Sequence, residues 1–192
     1  MLAASPYQGV LRRGVRVLLD RNPTGEASAL PAANQPAAFP TADEFAAAIQ
    51  RFLLDAMRAA RLIRRGELWQ AKQQCDCALK RHLLVMLEWQ ARAVHGPAHD
   101  VWYDGRYLAE WADPRALAAL PRTFAGFDAE SLWQALFETL SLYRRSGNEV
   151  ARRPGYAYPA AADERITGWL WSVRAGQTGS ELFQSSTRDG GL

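Results

Sequence analysis

The residues from Glu67 to Val94, ELWQAKQQCDCALKRHLLVMLEWQARAV, set the terms for everything else in this chain. Leu68, Ala71, Cys75, Leu79, Leu83 and Met86 recur every three or four positions, which lines them along one side of a helix. Lys72, Asp76, Lys80, Arg81 and Glu88 fall on other sides. Gly66 marks the start, and Gly96-Pro97 marks the stop. A helix this long does not keep its order on intrinsic propensity; its apolar side must be covered. The chain is therefore expected to be mainly α, a bundle of five or six helices.

The covering helices can be read in order. Thr41-Ala-Asp-Glu44, directly after Pro40, is a capping box. The helix behind it places Phe45, Ile49, Phe52, Ala56, Ala59 and Ile63 on one face and should reach Arg65. The single-residue break at Gly66 predicts an antiparallel hairpin with the long helix. Asp104-Gly105, between aromatic residues, predicts a turn and a small hairpin. One helical turn is expected over Leu108 to Trp111, and Asp113-Pro114 opens a short helix to Leu120. Asp128 caps a helix striped by Leu132, Trp133, Leu136, Leu140 and Tyr143, with Ser146-Gly147 as its expected end. Asp163 is the expected start of a last helix with Ile166, Trp169, Leu170 and Val173 inward.

Upstream, Gly14-Val-Arg-Val-Leu-Leu-Asp20 reads as a β-strand with no partner nearby, an orphan strand. Residues 22–40 form a Pro/Ala-rich linker, and residues 175–192 a tail expected to be disordered. The expected domains are thus 1–21, linker 22–40, bundle 41–174 and tail 175–192.

Charge is uneven. Residues 51–81 hold eight basic and three acidic side chains, net +5, against +3 for the whole chain. Such a cluster can face phosphate. Cys75 and Cys77, two apart on a helix, point to different sides; both are read as free thiols, Cys75 in the core and Cys77 near the surface. No apolar run approaches the ~20 residues of a membrane span. No signal-peptide pattern opens the chain, so its expected place is the cytoplasm. Neither a nucleic-acid nor a membrane partner is expected. Phosphate-loop and nucleophile-elbow motifs are missing from the sequence, and no metal-ligand set is read from it. Arg92 and His99 resemble a helical ribonuclease's Arg-His pair in type, but Gly96-Pro97 interrupts their helix. Trp102 and Tyr103, flanked by Asp100, Asp104 and Arg106, offer an aromatic platform for a flat or cationic ligand. Glu88, beside Trp89, is placed to face a pocket.

Taken in order, these features resemble the C-terminal part of the aminoglycoside 6-adenylyltransferases, the streptomycin adenylyltransferase family. Gly14 to Arg21 looks like the last strand of that family's nucleotidyltransferase domain. Pro40-Thr-Ala-Asp-Glu-Phe45 is similar to the Pro-Thr-x-x-x-Phe that opens its first C-terminal helix. Arg58-Ala-Ala-Arg-Leu-Ile63 and Arg65-Gly-Glu-Leu68 follow its Lys-Gly and Arg-x-Glu segments. Leu83-Leu-Val-Met-Leu-Glu-Trp89 resembles its Leu-Leu-x-Met-x-x-Trp run. Gly105-Arg-Tyr-Leu-Ala-Glu-Trp111, Leu132-Trp-Gln-Ala-Leu-Phe137 and Gly155-Tyr-Ala-Tyr-Pro159 complete the series.

The resemblance implies transfer of AMP from ATP to a streptomycin hydroxyl, with magnesium held by carboxylates of the nucleotidyltransferase domain. It implies that Arg58 and Arg61 face phosphate, and that Glu88, Trp89, Trp102, Tyr103 and Arg106 face the aminoglycoside. Two departures stand out. The Gly-Ser…Asp-x-Asp signature of the nucleotidyltransferase domain is not found in the sequence, and the family's Asn-Glu-Phe-Trp reads Gln50-Arg51-Phe52-Leu53 here. The expectation is a substrate-side helical domain without its catalytic domain, inactive alone and with no catalytic residue assigned. The alternative is a binding or regulatory module that docks to a separate nucleotidyltransferase domain, its orphan strand joining that domain's sheet edge.

Overall fold

The computed structural model describes residues 39–153 and 155–176. The expected strand, most of the linker and the tail beyond residue 176 lie outside them. Within them the chain is helical, without a strand, as the periodicity predicted.

Helix α1 spans Ala42–Arg64. Its capping box is formed: Glu44 N–H donates to Thr41 Oγ1 at 3.2 Å, and Thr41 N–H to Glu44 Oε2 at 2.8 Å. At its other end Glu67 N–H reaches Leu62 O and Gly66 N–H reaches Ile63 O, both at 3.0 Å. That pair of bonds needs a left-handed residue between helix and turn, and Gly66 supplies it with φ +74°. The chain then doubles back. Helix α2 is α-helical over Leu68–Gln73, π-helical over Gln74–Ala78 and α-helical again over Leu79–His95. Phe45 faces Trp89, with centroids 6.2 Å apart, and Asp55 bonds His82 at 2.8 Å. Early α1 thus meets late α2, and the hairpin is antiparallel.

After α2 comes a 3-10 turn at Tyr103–Gly105, where a small β-hairpin was expected. Trp102, Asp104 and Tyr107 there have φ of 48°, 52° and 52°, a sequence of left-handed residues that no strand ladder accommodates. Helix α3, Leu108–Trp111, and α4, Pro114–Ala119, follow as short steps, α4 capped by Asp113. A 3-10 turn at Leu120–Thr123 leads to α5, Ala129–Val150, capped by Asp128.

Helix α5 does not stop at Ser146-Gly147. Both residues are buried, and a Cβ on Gly147 would sit 2.7 Å from Tyr158 Cε2. The glycine there admits a neighbour rather than ending the helix. Helix α6 spans Ala160–Ala175, so it starts three residues before Asp163. Asp163 is not its cap. It is buried, accepting from Arg144 Nη2 at 3.1 Å and Tyr158 Oη at 2.9 Å. Of the expected inward residues of α6, Leu170 is buried, while Ile166, Trp169 and Val173 pack half-buried against the core.

The core lies where α1, α2 and α5 meet. Phe52 stacks on Tyr143 at 3.6 Å, in a buried core that also holds Ile49, Leu83, Met86 and Leu136. Every residue of the predicted α2 stripe is buried except Leu68, which is half-buried.

Candidate functional site

The sequence-predicted residues fall at two ends of the α1–α2 hairpin. At one end, the turn after α2 carries Trp102, Tyr103 and Arg106, all exposed. Gly105 lies against Leu84 of α2, its Cβ position 3.4 Å from Leu84 Cδ1. Glu88 is one helical turn beyond Leu84 on the same side, half-buried, so the turn and Glu88 share one side of the bundle.

That turn is held from several directions. Trp102 N–H donates to Asp100 Oδ1 at 3.0 Å, and Trp111 Nε1 donates to Arg106 O at 3.0 Å. The Trp102 and Tyr107 rings meet edge to face at 4.6 Å, and the Arg106 guanidinium lies 5.5 Å from the Tyr107 centroid. Three non-glycine residues at positive φ in six positions are costly, and tertiary contacts must hold them there. Tyr107, not singled out in the sequence, is thus part of the platform. Its signal was available: three aromatics spaced around an Asp-Gly.

Trp89 does something different from Glu88. It is half-buried and packs on Phe45, under the start of α1. Next to this end, His95 and His99 rings lie 4.6 Å apart, and Arg92 is buried. Helix α2 ends at His95, so Arg92 and His99 do not share a helix. Among the described residues no three His, Cys, Asp or Glu side chains converge as a metal-ligand set.

Arg58 and Arg61 lie toward the other end of the hairpin, and the structure parts them. The Arg61 guanidinium sits 5.4 Å from the Trp169 centroid, toward α6. Arg58 instead lines a groove of about 390 Å³ between α1 and the first half of α2, together with Trp69 and Arg81. The α2 part of that groove is Trp69 to Arg81, so Glu88 lies seven or more residues farther on, about 10 Å or more along the axis.

A third polar cluster was not foreseen. The π-helical segment frees Cys75 O, which accepts from Lys80 Nζ at 3.0 Å; the same ammonium donates to Thr139 Oγ1 at 3.1 Å. Burial lowers the Lys80 pKa from 10.5 to about 8. Lys72 closes the cluster by pairing with Asp76 and bonding Ala125 O. Its sequence signal was faint: the four-residue steps Ala71, Cys75, Leu79, Leu83 overrun a 3.6-residue turn by about 40° each unless the helix locally widens.

Comparison with known proteins bears on the family and the fold. The sequence profile of the streptomycin adenylyltransferase family matches residues 7–173. Among solved structures, the chain is similar to an aminoglycoside 6-adenyltransferase from Bacillus subtilis, with TM-score 0.63 and 21% identity over 71% of this chain and 51% of that chain. At that identity the likeness shows the fold, and the chain spans about half the length of the solved enzyme. No curated protein sequence matches.

Proposed function

We propose, because this chain belongs to the streptomycin adenylyltransferase family, that its helical bundle is the substrate side of an AMP transfer from ATP to an aminoglycoside such as streptomycin. The observation that carries the reading is the strained aromatic turn at Trp102–Tyr107, fixed on the same side of α2 as Glu88. A streptomycin-like ligand is polycationic. Acid from Glu88, Asp100 and Asp104 beside the exposed rings of Trp102 and Tyr103 is the lining such a ligand favours. Arg106, stacked on Tyr107, serves as the polar rim. Trp89 acts through the core, by fixing the α2 turn that carries Glu88. Arg58 supplies positive charge for a nucleotide's phosphates at the α1–α2 groove, while Arg61, turned toward Trp169, contributes charge only from the α6 side.

In this reading the bundle binds and orients the aminoglycoside in the cytoplasm. The nucleotidyltransferase half of the enzyme holds the magnesium and ATP. The transfer step is assigned to that half, and drug resistance is its consequence. Calorimetric titration with streptomycin and with Mg-ATP tests the reading, and a silent titration at millimolar streptomycin overturns it.

A second reading keeps the same family and the same helical fold. In it the bundle is a binding or regulatory module docked to a separate nucleotidyltransferase domain. Co-purification with such a domain supports it; a monomer on size exclusion in that domain's presence counts against it.

A further inference from the structure

The groove at Arg58 carries more than a single phosphate contact. Of the three acids in the basic stretch 51–81, Asp55 pairs with His82 at 2.8 Å, Glu67 with Arg65 at 2.7 Å, and Asp76 with Lys72. All are committed away from the groove. Arg58 and Arg81 both line it, and neither has an ion-pair partner among the described residues. Two guanidiniums facing one concavity repel each other, and an anion between them relieves that repulsion.

The rest of the lining narrows the anion. Trp69 is 69% exposed, so its indole face is open to solvent at the groove's edge. Gln70 and Gln73 bring amides that donate and accept. The volume, about 390 Å³, falls at the small end of the ~300–1,000 Å³ typical of small-molecule clefts and is short for a peptide. A flat aromatic ring for Trp69, hydrogen-bonding edges for the glutamines and a phosphate for the arginines describe one ligand class.

We infer that this groove binds a nucleoside monophosphate, its base stacked on Trp69 and its phosphate held between Arg58 and Arg81. This rests on the phosphate role given to Arg58 above. It adds Arg81 as the partner and Trp69 as the stacking plane.

Cys77 provides the readout. It lines the same groove and is exposed, whereas Cys75, the chain's other cysteine, is buried with its thiol pKa raised to about 12. A disulfide reagent at neutral pH therefore reports Cys77. With the full chain, AMP approaching roughly 10 mM is expected to slow Cys77 modification about fivefold or more. Adenosine or inorganic phosphate alone should slow it less than about twofold. Trp69→Leu should weaken AMP protection about tenfold, as loss of base stacking does. The paired Arg58→Gln and Arg81→Gln substitutions should abolish protection while circular dichroism shows the helical fold intact. No protection by AMP, protection that survives the paired arginine substitutions, or phosphate alone protecting as well as AMP would each overturn the inference. Streptomycin titrated into the same sample tests the substrate-side turn separately, so failure at one end of the hairpin is distinguishable from failure at the other.

Discussion

Cys75 and Cys77 stand two positions apart, and their surroundings make them chemically unlike. Desolvation raises the Cys75 thiol from 9.0 to about 12, while Cys77 is exposed. Native protein should give one titratable thiol to Ellman's reagent and denatured protein two; two in the native state would contradict the burial. Lys80 is perturbed in the opposite sense, from 10.5 down to about 8, chiefly by burial. Below pH 8 it is charged in both the folded and unfolded chain. Between 8 and 10.5 the unfolded chain keeps a proton that the folded one has released, so this residue makes stability rise with pH. Cys75 pulls the other way above pH 9, because there the folded chain keeps a proton that the unfolded one loses. A Lys80→Met variant separates the two. Relative to it, the wild type should gain about 1–2 kcal/mol between about pH 8 and 10 in urea melts; parallel pH profiles would contradict a buried amine. The cysteine contrast was legible from helical spacing. The Lys80 site was not, because it depends on Thr139, 59 positions away in the chain, and on a π-helical segment that leaves only a slight stretch in the apolar spacing.

At the scale of elements, what the sequence showed plainly was local chemistry: the Thr41–Glu44 box, the Gly66 stop, and the Asp113 and Asp128 caps. Where it misled, a residue that usually ends or starts a helix had been taken up by packing. Gly147 reads as a terminator but lies inside α5 against Tyr158. Tyr158 cannot swing aside freely, since its hydroxyl is bonded to Asp163. Gly147→Ala should therefore cost about 1–2 kcal/mol in urea unfolding, overcrowding outweighing the gain in helix propensity. Gly168 in α6 is the control. Nothing lies within 4 Å of its Cβ position, and Gly168→Ala should stabilise by about 0.5–1 kcal/mol. Equal effects at both positions would contradict the packing. Asp163 reads as a cap but is the buried partner of Arg144, Tyr158 and Thr167. The Arg144 side chain is 39% exposed and can rehydrate, so Asp163→Ala should cost about 2 kcal/mol, less than a fully buried pair would. A change under about 0.5 kcal/mol would place that network outside the fold's essential contacts.

For the whole molecule, the three long helices α1, α2 and α5 build the core, and the short elements after α2 place an aromatic turn beside Glu88. The ordered series of short motifs made the family legible before any coordinates, and the profile match over residues 7–173 agrees with it. The relation between motifs was less legible. Arg58 and Arg61 are three apart and looked like one phosphate surface, yet Arg61 turns to Trp169 while Arg58 lines the groove that Arg81 also lines. Likewise Glu88 and Trp89 are neighbours in sequence, but Trp89 packs toward Phe45 while Glu88 lies on the side of the turn. Which way a helical residue faces is settled by packing partners that the sequence does not rank. The substrate-side reading is tested most directly by calorimetric titration of streptomycin into the purified chain. It predicts saturable heat that weakens with added salt and falls about tenfold in Trp102→Ala and in Glu88→Gln. No heat at millimolar streptomycin, or binding indifferent to both substitutions, would contradict it.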